Sequence, residues 1–248
     1  MSGRVRAVFF DVDFTLIHPG PTFRGDGYRA FCERHGLRVD ASRFDAAVAA
    51  ASSVLDEAQD CIYQDALFHR YTAEIIRGMG GDGEAVERCA REMYAEWALC
   101  HHFEMYEDVP EVLRTLASEG FRIGLISNSH RCLVSFQSHF ELQGLISAAL
   151  SSSEHGYLKP HPSIFAAALA QLGARPDESV MVGDSLPHDI VGARRAGMHG
   201  VLVKRSAQTS PLPPEPPQEF ADVPVIPSLR ELPSLLRVLS APTARELG

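Results

Sequence analysis

From Val109 to Lys204 the chain alternates between short apolar runs rich in β-formers and longer helical patterns. "DVPEVLRTLASEG" reads as a helix stopped by Gly120, "FRIGLIS" as a strand, "HRCLVSFQSHF" as a helix and "ISAALSS" as a strand. "HPSIFAAALAQLG" is then a helix ended by Gly173, "SVMVGD" a strand, "LPHDIVGARRAG" a helix and "HGVLVK" a strand. Such alternation demands right-handed crossovers, and therefore a mainly parallel sheet covered by helices. "VRAVFF", residues 5 to 10, is a further run of the kind that a strand buried on both faces requires, and Asp11 closes it.

Between that opening strand and Val109 the character differs. A loop with Pro19, Gly20, Pro21, Gly25 and Gly27 leads into helical periodicity from about Tyr28 to Cys100, rich in alanine, free of proline and broken briefly at "RGMGGDG". Three or four helices are expected there as a unit of their own, inserted into an α/β domain whose sheet the opening strand joins from across the insertion. Near the other end, "SPLPPEPPQEF", residues 210 to 220, is too rich in proline for regular structure and reads as an extended surface linker. "PVIPSLRELPSLLRVL" reads as a last short strand and a covering helix. There is no internal repeat.

The 248 residues suffice to bury a core without staples. A formal net charge of -9 argues against a general nucleic-acid binder, so an anionic ligand would have to be met by a local positive cluster or a metal. Five cysteines, Cys32, Cys61, Cys89, Cys100 and Cys132, form no C-x-x-C pair and are odd in number, which predicts buried thiols and a reducing compartment. Arg4 and Arg6 run straight into an acidic stretch with no signal-peptide pattern, and no apolar run approaches the roughly 18 residues that span a bilayer. The expectation is a soluble cytoplasmic protein with no nucleic-acid or membrane partner; oligomeric state is not legible.

The chemistry concentrates at the strand ends. In an open parallel sheet ligands bind beyond the carboxyl ends of the strands, and Asp11, Ser127 and Asp184 each directly follow an inferred strand. Taken singly these are bland: Asp11 with Asp13 is a strand-ending turn, Ser127 and Asn128 are turn residues, and Lys159 is a solvated lysine before a proline. Only the constellation lifts them.

That constellation resembles the haloacid dehalogenase superfamily. "DVDFTL" resembles its first motif, D-x-D-x-T, and "LISNS" its second, a strand ending in Ser or Thr. Lys159 in "YLKPHPSIF" is similar to the third, and "VGDSLPHDIVGARRAG" to the fourth, G-D-x-x-x-x-D. The resemblance covers about residues 5 to 205 and implies a Rossmann-like core, residues 1 to 19 and 106 to 248, with an all-helical cap at 20 to 105. It implies Asp11 as nucleophile and Asp13 as general acid and then base. Ser127 and the Asn128 backbone N–H would bind the phosphoryl oxygens, and Lys159 would neutralise charge. Mg²⁺ would be held by Asp11, Asp184 and the backbone carbonyl of Asp13, with Asp189 orienting Lys159 or a metal-bound water. Relatives that displace halide lack an acid at the second position, so Asp13 points to phosphate esters. Phe14 departs from the small or polar residue many relatives carry there.

The expected function is therefore hydrolysis of a small phosphorylated metabolite through an aspartyl-phosphate. A sugar-phosphate mutase and a non-catalytic binding protein on the same fold are the rivals. Tyr28, Tyr63, Gln64, His69 and Tyr71 of the insertion are candidates for substrate contact, although their helical spacing also suits packing. His101 with His102 reads as a solvated helix end, His188 as a solvent-facing loop histidine, and Gly78, Gly80, Gly81 and Gly83 as a helix connection.

Overall fold

The computed structural model describes residues 4–57, 59–205 and 220–239, so most of the proline-rich stretch lies outside the described residues. β1 (Ala7–Phe10) is wholly buried, because Val8 and Phe10 face one side of the sheet and Ala7 and Phe9 the other, and both sides are covered. It lies centrally in a six-stranded parallel sheet, flanked by β4 (Arg122–Ser127) and β6 (Ser179–Gly183). β5 (Ala148–Ser151) pairs outside β4, while β7 (His199–Val203) and then β8 (Val225–Ile226) continue beyond β6. The order reverses at β1, which opens the ligand crevice at the carboxyl ends of β1, β4 and β6.

Cross-strand packing explains one glycine in the sheet. Gly124 stands in register with Phe9, and a Cβ there would come within 2.6 Å of the phenyl ring. α5 (Val109–Ser118), α6 (Leu133–His139) and α10 (Leu232–Leu239) send Val112, Leu113, Leu116, Phe136 and Leu236 onto one face of the sheet. α8 (Pro162–Leu172) covers the other with Ile164, Phe165, Ala168 and Leu169. Short α7 (Ser152–His155) and α9 (Gly192–Arg195) sit in the connections.

The insertion holds α1 (Gly25–Arg34), α2 (Phe44–Ala51), α3 (Asp65–Gly78) and α4 (Ala85–Trp97), with α3 packed between α2 and α4. Tyr28, Phe31, Ile75, Ile76, Val86 and Met93 close its interior, and this apolar cluster continues into the sheet's own.

Three features differ from the sequence reading. β2 (Ile17–Pro19) and β3 (Phe103–Met105) form an antiparallel ribbon at the base of the insertion, each too short for its alternation to be legible. α6 begins at Leu133, leaving His130 and Arg131 in the loop before it. The stretch after Asp184 opens as a π-helical turn, Leu186–Val191, before α9. Among the described residues, no helix is long and apolar enough to cross a membrane.

Candidate active site

β1 delivers Asp11 to the crevice, and the Asp11 N–H still donates to Val182 O at 2.9 Å, so the backbone there is held by the sheet. The chain then turns sharply. Leu16 and Ile17 both donate to Val12 O, Phe14 donates to Ile17 O at 2.7 Å, and Phe14 takes φ 65°, the left-handed region that costs a β-carbon-bearing residue energy. The Arg205 guanidinium braces this turn from below, donating to Thr15 O from Nη2 at 2.8 Å.

Lys159 is 2% exposed and uses all three of its protons. Nζ donates to Asp11 Oδ1 at 2.6 Å, to Asp189 Oδ1 at 2.7 Å and to Ile126 O at 2.8 Å. Burial would push the ammonium down, but the Asp11 and Asp189 carboxylates more than reverse it and keep the lysine protonated, above its ordinary range. The loop carrying Lys159 is clamped by Asn128: Lys159 N–H donates to Asn128 Oδ1 at 2.7 Å, and Asn128 Nδ2 donates to Lys159 O at 3.0 Å. Ser127, fully buried at the end of β4, shares a hydrogen bond of 2.9 Å with Ser129.

Asp184 follows β6, and Asp189 lies one turn on. Ser185 N–H donates to Asp189 Oδ2 at 3.0 Å. That carboxylate packs so tightly on Gly183 that a Cβ there would lie 2.2 Å from Oδ2, which is why the strand must end in glycine. Oxygens of Asp11, Asp184 and Asp189 lie within 4.8 Å of one another. Three carboxyl groups thus meet one ammonium, Asp11 and Asp189 buried and Asp184 partly exposed at the mouth. Burial, and after it the opposed charge of Lys159, sets Asp11, whose carboxyl is raised to about 6. Burial and the neighbouring Asp11 and Asp189 push Asp184 well above the usual carboxylate range. Asp11 Oδ2 is buried and receives no hydrogen bond among the described residues. An oxygen-rich pocket with surplus negative charge and an orphaned carboxylate oxygen is the setting a hard divalent cation fits.

Asp13 stands apart from that cluster. Its carboxylate accepts from Arg131 Nη1 at both oxygens, at 2.9 and 3.0 Å. Burial raises its proton affinity, Arg131 opposes this, and the net shift is upward. A carboxyl in such surroundings holds its proton more tightly than a solvated one and can hand it on.

The crevice thus gathers Asp11, Asp184, Asp189 and Lys159 into direct contact or ligand range, with Ser127 and Asn128 on the neighbouring strand end and Asp13 on the turn. Asn128 adds a clamp on the lysine loop that its motif does not announce. Of the residues considered in the insertion, Tyr28 is a core residue, 4% exposed, whereas the Tyr63 hydroxyl donates to Asp65 and meets that of Tyr94 at 2.8 Å. Tyr94 in turn packs on His130 at a ring separation of 4.0 Å. His102 is no solvated end: its ring nitrogens meet Glu96 at 2.7 Å and Thr22 at 3.1 Å, joining both ends of the insertion. His188 is tied back to Ser185 at 3.0 Å. Arg131 carries no signal of its place in the sequence, since at the head of a run that reads as a helix an arginine passes for a solvated cation until the fold closes over it.

A family model described as haloacid dehalogenase-like hydrolase matches residues 5–197. The glyceraldehyde 3-phosphate phosphatase of Methanopyrus kandleri is 31% identical over 208 residues, 81% of this chain and 84% of that protein. The human N-acylneuraminate-9-phosphatase is 30% identical over 254 residues, 94% of each. A crystal structure of a HAD phosphatase from Thermococcus onnurineus superposes with a TM-score of 0.63 at 22% identity, covering 94% of this chain and 98% of that one. A carboxylate-rich crevice on this sheet, with a family match spanning most of the residues that build it, means that the chain belongs to the haloacid dehalogenase-like hydrolases.

Proposed function

We propose that the protein is a Mg²⁺-dependent phosphatase of small phosphomonoesters, with Asp11 as its nucleophile. The observation that carries this is the state of the Asp11 carboxylate. Oδ1 is held by Lys159, while Oδ2 is buried, receives no hydrogen bond among the described residues and stands beside the carboxyls of Asp184 and Asp189. Such an oxygen is poised for an electrophile rather than for stability. Similarity to proteins named as phosphatases of glyceraldehyde 3-phosphate and of an N-acylneuraminate 9-phosphate supports small phosphorylated substrates.

In this reading Asp11 attacks phosphorus, the ester P–O bond breaks as the Asp11–phosphoryl bond forms, and Asp13 gives its proton to the departing oxygen. Asp13, now ionised, takes a proton from the water that cleaves the aspartyl-phosphate, which returns Asp11 and releases inorganic phosphate. Ser127 Oγ and the Asn128 backbone N–H hold the phosphoryl oxygens, and Lys159 offsets charge on Asp11 and on the phosphoryl group. Asp189 keeps Lys159 in place. Mg²⁺, held by carboxylate oxygens of Asp11 and Asp184 and the Asp13 carbonyl, would supply the charge neutralisation that lets an anion approach this acidic crevice.

The division of labour follows the chain: residues 1 to 19 and 106 to 248 form the catalytic core, and 20 to 105 the cap that meets the part of the substrate beyond its phosphate. Unbridged cysteines such as buried Cys32 and Cys89, 3.8 Å apart at sulfur, suit a reducing cytoplasmic setting.

Phosphate release should be measured for wild type and Asp11→Asn, each with Mg²⁺ and with EDTA, over a panel of sugar phosphates, nucleotides, small phospho-acids and p-nitrophenyl phosphate. Release that vanishes with either the substitution or the chelator is the expected result. Isomerised sugar phosphate in place of free phosphate would replace this reading with a mutase. Silence on every substrate would sink it.

A further inference from the structure

Arg131 is 1% exposed and among the largest fully buried side chains. Its guanidinium reaches three segments far apart in sequence. Nη1 donates to both oxygens of Asp13, and Nη2 donates to the carbonyl of Trp97, the last residue of α4, at 2.9 Å. The guanidinium also lies 4.3 Å over the ring of Phe103, the first residue of the returning strand β3. Phe103 packs on Trp97 at 4.9 Å and on Phe23 at 5.4 Å, and Trp97 on Phe23 at 4.6 Å. Arg131 therefore sits beneath an aromatic cluster contributed by both the outgoing and the returning ends of the insertion.

A buried ion pair is a poor way to gain stability, since apolar residues of similar volume commonly do as well or better. What an arginine offers instead is a rigid planar fork that can fix two groups relative to each other. Here one arm holds the carboxyl of Asp13 and the other holds the end of α4, and Nε is buried with no hydrogen bond among the described residues, so the placement is not arranged to satisfy the arginine itself.

We infer that Arg131 is a positioning residue: it fixes the Asp13 carboxyl relative to the end of the cap's last helix, so that proton delivery to the leaving oxygen depends on how the cap is seated. This rests on Asp13 acting as proton donor, as proposed above. A defect in that step has a signature that a purely structural role lacks. An alkoxide needs a proton to leave, whereas p-nitrophenolate leaves without one.

The test compares kcat/KM, which reports the steps up to phosphoryl transfer onto Asp11 and not the hydrolysis common to every substrate, on glycerol 3-phosphate, or whichever alkyl phosphate the panel ranks first, with kcat/KM on p-nitrophenyl phosphate. Arg131→Gln should lower the first about 100-fold and the second by less than about 10-fold, the span expected for lost general acid catalysis. Arg131→Lys should recover part of the alkyl rate. Asp13→Asn should show the same substrate bias, and adding Arg131→Gln to it should cost little more, because two residues acting through one step are not additive. Thermal melts accompany each variant. If Arg131→Gln does not fold, Arg131→Lys and Phe103→Leu carry the same comparison, each expected to penalise the alkyl ester selectively. Equal losses on both substrates, or additive losses in the double variant, overturn the inference while wild-type activity keeps the phosphatase reading intact. Wild type silent on both substrates removes the two together.

Discussion

Two buried carboxylate nests lie at opposite ends of the turn that follows β1, and they are built to opposite specifications. In one, Asp108 Oδ2 accepts from Arg205 Nη1 at 3.1 Å, Ser228 Oγ at 2.7 Å and the Leu229 N–H at 2.8 Å, and Arg205 spends its other arm on Thr15 O and stacks on Tyr106. Burial alone would raise Asp108, yet Ser228, Arg205 and Leu229 more than compensate and hold its carboxyl below the usual range. In the other, Asp11 and Asp189 share one lysine beside Asp184, Asp11 Oδ2 receives no hydrogen bond among the described residues, and Asp11 and Asp184 are both raised. The first nest is balanced in charge, one guanidinium to one carboxylate, although Asp108 Oδ1, 3.1 Å from Arg205 Nη1, is also buried without a hydrogen bond among the described residues, and it joins β8's end of the core to the turn. The second keeps surplus charge where a cation and a phosphoryl group would answer it, and that imbalance is the physical mark of function.

Asp11→Asn should lower phosphate release by at least about 1,000-fold, as expected when a nucleophile is lost. Its melting temperature in EDTA at pH 7.5 should equal or exceed that of wild type, because one surplus buried charge is gone. A fall in stability would mean that the second nest is structural after all. Asp108→Ala should do the reverse: folding stability drops by about 3 kcal/mol, the usual cost of leaving a buried charge partner alone. Turnover per folded molecule should hold, as denaturant unfolding and active-site titration would show.

The sign of the pH dependence separates the nests further. Asp108 binds its proton more weakly when folded than unfolded, so its stabilisation is present above the unfolded value near 3.8 and is lost as pH falls through the lower folded value. Asp108→Asn should thus cost stability at pH 7 and almost nothing in strong acid. Asp11 binds its proton more tightly when folded, so the folded protein loses stability as pH rises from 3.8 to about 6. Added Mg²⁺ should then raise the melting temperature at pH 7.5, by about 2.7 kcal/mol of stability at a hundredfold excess over its dissociation constant, and hardly at all at pH 5. An equal rise at both would show that the cation binds elsewhere. Smallest is Phe14→Gly. The left-handed φ of 65° marks strain beside the catalytic turn, whereas Asp108 and Ser228 in the balanced nest sit at φ −79° and −151°. Removing the side chain should raise stability by less than about 1 kcal/mol, since relief of strain is partly offset by glycine's freedom in the unfolded chain.

Lys159 and Asp189 were legible because each belongs to a short motif beside a strand end, where chain direction alone fixes the neighbourhood. Asn128 was legible as a position, but its hold on both backbone groups of Lys159, across 31 residues, was not. Arg131 and Arg205 look alike in the sequence, both cations bordering helical or polar stretches. One meets Asp13 across 118 residues and the other meets Asp108 across 97, and no local pattern predicts either. The ribbon of β2 and β3 escaped because three residues per strand are too few for a period of two to stand out.

The parallel sheet, its helical insertion and the acids at the strand ends are written in local stretches of the chain. Hydrophobic period and strand-helix order dictate which face is buried and where a strand must stop, and these are local properties of the chain. Only the tertiary structure decided which of those acids are neutralised. It placed Lys159 between Asp11 and Asp189, left Asp11 Oδ2 alone, and set Arg131 between Asp13 and the end of α4, because charge balance in a buried site depends on through-space neighbours that no stretch of sequence contains.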